Sequence, residues 1–271
     1  MLSFNLTHLY FFTGTNAGKS SIVNALLGEK RVIVSDVSGT TRDSIDSRLT
    51  YNDREFVIID TAGIRKKSKV DWGIEKFAVD RSIRAIRNCD VAVLVIDATE
   101  GITDQDKKIA GTVIDAGKAM ILAINKWDLI EDKKSTTINH FEKEIEKEMP
   151  FLSYVPKIFI SAKTKQRLVS IYKLTNEVYA ETTKRISTSL LNKVVLDAVS
   201  MNPPSSIRGK RLKLSYATQV KVQPPTFVLF INNEDLLKDN YVKYLENKLR
   251  EAFGFKGSPI KIMAREKGEK K

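Results

Sequence analysis

The chain has 271 residues, 42% of them hydrophobic and 29% charged, with a formal net charge of +12 and a pI near 9.5. That length allows one large or two ordinary domains with real cores, and the single cysteine, Cys89, excludes an intrachain disulfide framework. No apolar run approaches the roughly 20 residues of a membrane span, so a soluble, cytoplasmic protein with no membrane partner is expected.

The opening MLSFNLTHLYFF is apolar but short and lacks a basic leader segment, so residues 9–12 read as a strand and not as part of a signal peptide. Residues 11–21, FFTGTNAGKSS, follow the phosphate-loop pattern G-x-x-x-x-G-K-[ST] with Thr13 where its first glycine would stand and Gly14 one step late. The shift disturbs the entry to the turn and leaves Gly18-Lys19-Ser20 in place. A helix over 19–28 follows, then a polar stretch, SDVSGTTRDSID (35–46).

Short runs rich in β-branched residues, FVIID (56–60), VAVLVID (91–97), AMILAIN (119–125) and KIFI (157–160), read as strands buried on both faces. Amphipathic stretches near 73–87, 104–116, 137–149 and 165–183 alternate with them. This order implies an α/β domain over 1–185 with a mostly parallel sheet and helices on both faces, which binds ligands beyond the carboxyl ends of its strands. After Arg185 the pattern becomes a helix near 187–200, a Pro/Gly loop, strands over 211–220 and 226–232, a helix over 239–253 and a strand over 259–265. Residues 186–271 are therefore expected to form a small α+β layer. They hold 16 Lys+Arg against 8 Asp+Glu, which favours a polyanionic partner for this part.

Three motifs in order carry the chemistry: the phosphate loop, DTAG (60–63) ending a strand 41 residues after Lys19, and NKWD (125–128) ending another 65 residues on. Together they imply a P-loop GTPase domain whose cofactors are GTP or GDP and Mg²⁺. The nucleotide-binding set is Gly14, Thr15, Asn16, Ala17, Gly18, Lys19, Ser20 and Ser21, then Asp60, Thr61, Ala62, Gly63 and Ile64, then Asn125, Lys126, Trp127 and Asp128, with Ser161 and Ala162 after the last strand. N–H groups of residues 15–20 at the helix opening cradle phosphate oxygens, and Lys19 adds charge at the β- and γ-phosphates. Ser20 offers its hydroxyl to Mg²⁺, Asp60 holds that ion through water, and Gly63 can bring its N–H near the γ-phosphate. The γ-phosphate-sensing residue is Thr40 or Thr41, with Thr41 favoured as the third metal ligand. Lys19, Thr41, Asp60 and Gly63 are thus the expected catalytic residues.

Asp128 should choose the base. Guanine shows N1–H and N2–H₂ side by side and a carboxylate only accepts; adenine would leave the charge unpaired, which can reject it by roughly 10⁴-fold. Asn125 should bridge the base and the phosphate loop, the Lys126 stem should cover the ring, and the Ser161-Ala162-Lys163 turn can donate to O6. Ile64 stands where many GTPases place a water-orienting Gln and cannot hydrogen-bond water. Asn16 is placed to help hold a monovalent cation, K⁺ being the candidate, whose charge would offset that of the transition state.

The stretches TNAGKSSIVNALLGEKRVIVSDVSGTTRDSID, IDTAGIRKK, VIDATEGITDQDKKIAG, NKWDL and RLKLSYATQV…PPTFVLFIN…YLENKLREAFGFKGSPIKI together resemble the bacterial Der (EngA) family of GTPases. The likeness implies the second of that family's two GTPase domains followed by its C-terminal KH-like domain, and a role in assembly of the large (50S) ribosomal subunit with rRNA, not DNA, as partner. The first GTPase domain is missing, TGTNAGKS stands where the family reads GRPNVGKS, and the first eleven residues do not resemble the linker and strand expected there; a truncated or misassigned start would account for both departures. GFKG (254–257) matches the G-x-x-G of KH domains, with a helix C-cap and turn as the favoured alternative. Two other readings are an Era-like ribosome-maturation GTPase and a guanine-nucleotide-dependent assembly scaffold that hydrolyses weakly.

Overall fold

The computed structural model describes residues 6–13, 17–29, 32–35, 47–58, 83–131, 134, 136–206 and 209–266. It divides into two compact units, Met1–Tyr179 and Ala180–Lys271.

Among the described residues the first unit carries a seven-stranded sheet in the order β2-β3-β4-β1-β5-β6-β7. Its strands are β1 (Thr7–Phe12), β2 (Ile33–Ser35), β3 (Ser47–Tyr51), β4 (Arg54–Ile58), β5 (Val91–Asp97), β6 (Ala119–Asn125) and β7 (Lys157–Phe159). β4, β1, β5, β6 and β7 run parallel, while β3 and β2 are antiparallel at one edge. All seven residues of β5 and of β6 are buried, the result of helices on both faces of a parallel sheet.

Alternation sorts each strand between two cores. Val91, Val93 and Val95 pack with Ile22, Val23 and Leu26 of α1 (Lys19–Leu27) and with Ile171 and Tyr172 of a later helix (Ser170–Thr183). Ala92, Leu94 and Ile96 pack on the other face with Ala110 and Val113 of α2 (Asp104–Asp115), Ile145 of α3 (Thr137–Glu148) and Ala85 of the helical segment 83–88. The helix at Ser170–Thr183 is α4. α2 opens on a capping box, the Thr103 hydroxyl accepting the Asp106 N–H and the Asp106 carboxylate accepting the Thr103 N–H.

The second unit holds α5 (Thr188–Met201), β8 (Leu214–Val222), β9 (Pro225–Ile231), α6 (Asp239–Phe253) and β10 (Lys261–Glu266), with the sheet order β10-β9-β8. β8 and β9 form an antiparallel pair, and α6 is the crossover that lets β10 lie parallel to β9. Leu191, Val195 and Ala198 of α5 and Tyr241, Leu245 and Leu249 of α6 bury one face of the sheet through Ala217, Phe227, Leu229 and Ile231. Ser187 caps α5, its hydroxyl accepting the Leu190 N–H.

Three expectations change. The edge strands β2 and β3 were not foreseen, because SRLTY is half polar and lies outside the apolar runs; the two-residue turn Asn52-Asp53, both at positive φ (50° and 59°), makes its hairpin with β4. The helix expected over 165–183 starts at Ser170: Lys165 and Arg167 have φ of 60° and 56°, which a right-handed helix cannot contain. β8 starts at Leu214 and extends to Val222, past the expected 211–220. No helix among the described residues is long and apolar enough to cross a membrane.

Candidate functional site

The carboxyl ends of β1, β5, β6 and β7 lie along one edge of the first sheet; Gly18-Lys19-Ser20 follow β1 in the chain, NKWD begins on the last residue of β6, and Ser161-Ala162 follow β7. β1 ends at Phe12 and α1 opens at Lys19, so the described part of the phosphate loop, Ala17 and Gly18, joins a strand's carboxyl end to a helix's amino end. Gly18 has φ 88°, a left-handed conformation that costs glycine nothing. A Cβ at this position would lie 2.6 Å from Asn125 Nδ2, so the close approach of loop and strand also requires glycine. α1 has no capping side chain and no acidic residue in its first turn; its opening N–H groups and positive dipole end suit an anion. Lys19 and Ser20 sit at that opening with Ser21 behind them, and Lys19 Nζ is 5.8 Å from the ring centroid of buried Tyr10. These features fit the phosphates of a nucleotide.

Asn125, the last residue of β6, is 2% exposed. Its Nδ2 donates to the Ala17 carbonyl at 2.8 Å and its Oδ1 accepts the Ala162 N–H at 3.0 Å. Its own carbonyl accepts the Ala98 N–H at 2.9 Å. One buried side chain therefore ties the phosphate loop to the turn after β7, and its backbone holds the loop after β5. The Ser161 hydroxyl accepts the Thr164 N–H at 3.0 Å, and the Ser161 N–H donates to Gln166 O at 3.2 Å, which closes the turn that presents Ala162.

Lys126 follows with φ 61° and opens a short 3₁₀ turn, Trp127–Leu129. Trp127 is buried against Phe141 and Phe159, with ring centroids 5.2 and 4.6 Å away. Its ring thus anchors the turn from the core, and half-buried Asp128 stands beside it on the turn. Lys126 Nζ pairs with the Asp97 carboxylate. Asp97 ends β5 in register with Asn125, and its Oδ1 accepts the Thr99 N–H at 2.9 Å and the Thr99 hydroxyl at 2.7 Å. Burial pushes the Asp97 carboxyl up, but hydrogen bonds from Lys126 and Thr99 more than offset this and hold it below the usual carboxylate range.

Asp97 is the site residue that motif reading missed. Its signal was a carboxylate closing a wholly apolar strand at the ligand edge, yet its partner lies 29 residues away and is identified only by the β5–β6 register. Gly14, Thr15, Asn16, Thr40, Thr41, Asp60, Thr61, Ala62, Gly63 and Ile64 lie outside the described residues. Of the expected metal ligands only Ser20 is described.

Two family models match the chain: a 50S ribosome-binding GTPase model over residues 10–126, and the C-terminal KH-domain-like model of EngA bacterial GTPase enzymes over 185–265. GTPase Der of Fusobacterium nucleatum subsp. nucleatum is 52% identical over 247 residues, which is 91% of this chain and 56% of that protein. GTPase Der of Listeria welshimeri is 53% identical over 252 residues, 93% of this chain and 58% of that protein. The chain therefore spans a little over half the length of these relatives. A crystal structure of Era in complex with MgGDPNP and nucleotides 1506–1542 of 16S ribosomal RNA aligns with a TM-score of 0.50 at 21% identity, covering 96% of this chain and 92% of that one. That likeness is one of fold.

The Asp97–Lys126 pairing sets a pH dependence. A carboxyl whose folded pKa is depressed stabilises the fold fully above the unfolded value, about 3.9, and loses that contribution as pH falls through its folded value. Asp97→Asn should lower stability by about 1–3 kcal/mol at neutral pH, and the gap from the unsubstituted protein should close in strong acid. Urea unfolding followed by tryptophan fluorescence across pH reads both.

Proposed function

The chain belongs to the Der (EngA) family of GTPases, and from that premise we propose that it binds GTP and GDP with Mg²⁺ and hydrolyses GTP in assembly of the large ribosomal subunit. The observation that carries this reading is the Asn125 carboxamide, which joins the phosphate loop to the turn after β7. In this way the triphosphate end and the base end of one site become a single rigid body.

Lys19 and the α1 N–H groups hold the phosphates, and the Gly18 backbone lets them approach. Ser20, Thr41 and Asp60 would hold Mg²⁺, the first and second directly and the third through water, and the bound ion would neutralise charge on the β- and γ-phosphates during transfer. Gly63 contributes its N–H at the γ-phosphate. Ile64 can contribute no hydrogen bond to the attacking water, so charge stabilisation would fall to Lys19 and the backbone, with Asn16 the residue that would help hold a K⁺ ion to add positive charge. At the other end Asp128 accepts from guanine N1–H and N2–H₂. The Lys126 stem lies along the ring with its head tethered to Asp97, and the Ser161-Ala162 turn faces O6.

Residues 186–271 act as the RNA-facing domain, a role that their basic balance supports, and the protein works in the cytoplasm on the ribosomal particle. The Era-like alternative needs a G-x-x-G between two helices, whereas GFKG here joins α6 to β10. The scaffold alternative predicts only weak turnover. A single-turnover GTP assay with and without ribosomal subunits separates it from hydrolysis.

Base choice gives a sharper test. Xanthine carries a carbonyl at C2 in place of the amine, so Asp128→Asn, which gains an NH₂ donor, should weaken GDP binding by about 100-fold or more and improve binding of xanthosine diphosphate, both by calorimetry. Unchanged GDP affinity would remove Asp128 from the site. Turnover should be faster in K⁺ than in Na⁺; equal rates would remove the cation beside Asn16.

A further inference from the structure

Among the described residues of the second unit, α5 and α6 pack on one face of its sheet. Ile262 and Ala264 of β10 pack into that core, which leaves the alternate row, Lys261, Met263 and Arg265, on the outer face. Arg265 lies in register with Phe230 of β9, and Phe230 with Tyr216 of β8. The Tyr216 and Phe230 rings are stacked, 4.2 Å between centroids and 12° from parallel. Tyr216, Val220 and Met263 are 42%, 54% and 50% exposed, three of the nine large apolar side chains exposed among the described residues. The one carboxylate in the three strands, Glu266, falls in the row of Ile262 and Ala264, and its Oε1 accepts the Glu234 N–H at 3.1 Å.

The G-x-x-G segment is otherwise engaged. The Phe255 N–H donates to Glu181 Oε2 at 2.6 Å, the Phe255 carbonyl accepts from Arg250 Nη1 at 3.0 Å, and the Phe255 ring is buried. A Cβ at Gly254 would lie 3.0 Å from Glu181 Oε2, and Lys184 Nζ caps the Phe253 carbonyl at 2.8 Å. A backbone donor already given to a carboxylate, with that anion seated against the loop, disfavours a phosphate there. GFKG is the helix-ending turn.

We propose that the outer face of the β8–β9–β10 sheet binds a single-stranded stretch of RNA, with a base stacked on the free side of Tyr216 and the RNA backbone held by Lys261 and Arg265. Every base offers a π-face, so an exposed ring beside cations suits an unpaired strand, while a face without carboxylates suits its charge. The inference rests on the proposed RNA-facing role of the second unit and assigns that role a surface.

The test is fluorescence anisotropy of the full chain with a labelled single-stranded RNA of roughly 12 nucleotides, over a salt series, with thermal midpoints and GDP binding measured for every variant. Tyr216→Leu should bind about 5- to 150-fold more weakly, and Tyr216→Phe should bind as the unsubstituted protein does. Replacing both Lys261 and Arg265 by Gln should lower the log–log salt slope by about 1.4, near 0.7 per phosphate contact on a single strand. Lys256→Gln, in GFKG, should change little. If the unsubstituted chain binds GDP but shows no salt-dependent RNA binding, the RNA-facing role itself fails. If RNA binds and Tyr216→Leu is without effect, or Lys256→Gln is the damaging change, the sheet face is overturned and is instead an apolar protein-docking surface or a bystander.

Discussion

The Asn125 carboxamide is the constraint on which the site depends. A carboxamide offers both a donor and an acceptor, and here each is spent on backbone: the Ala17 carbonyl on one side, the Ala162 N–H on the other. Neither an aspartate nor a leucine could do both. Because the side chain is buried, each bond would be costly to leave unmade, and because Asn125 ends a strand buried along its whole length, the bonds start from a rigid base. The pattern explains why Gly18 tolerates no side chain: the space a Cβ needs is taken by the amide that makes the bridge.

The departure from the usual phosphate-loop spelling looks less severe in this setting. Thr13 and Gly14 precede, in the chain, the residues on which the bridge acts. Ala17 is bonded from β6, Gly18 has its left-handed backbone, and α1 opens on Lys19 with no competing cap. Asp97 extends the same logic to the base end. A carboxylate in register with Asn125 holds the head of Lys126, so the residue that would cover a purine is fixed before any ligand arrives.

Much of this was legible in the chain because the physics was local. VAVLVID and AMILAIN are apolar on both faces and could only be strands between helices, and DNYVKYLENKLREAF forms α6 over its full length, with Tyr241, Leu245 and Leu249 four residues apart on the buried side. Asn125 was legible as a residue at a strand's end that reaches the phosphate loop, and its carboxamide is bonded to the Ala17 carbonyl. What escaped was non-local or set by backbone strain. β3 is recognisable only once β4 pairs with it, the late start of α4 follows from left-handed Lys165 and Arg167, and the partner of Asp97 appears only when β5 and β6 align. The favoured reading of GFKG as a helix end agrees with Gly254 closing α6, but the carboxylate that takes its Phe255 N–H, Glu181, lies 74 residues earlier and could not be read.

The central claim is that the Asn125 bridge makes the phosphate-binding and base-binding loops one guanine-nucleotide site. Isothermal titration of the full chain with GDP and with ADP, in Mg²⁺, before and after Asn125→Ala, tests it most directly. The account predicts GDP binding, no comparable ADP binding, and a loss of GDP affinity of about 10- to 100-fold in the variant. Equal affinity for the two nucleotides, or GDP affinity untouched by removal of the carboxamide, would contradict it.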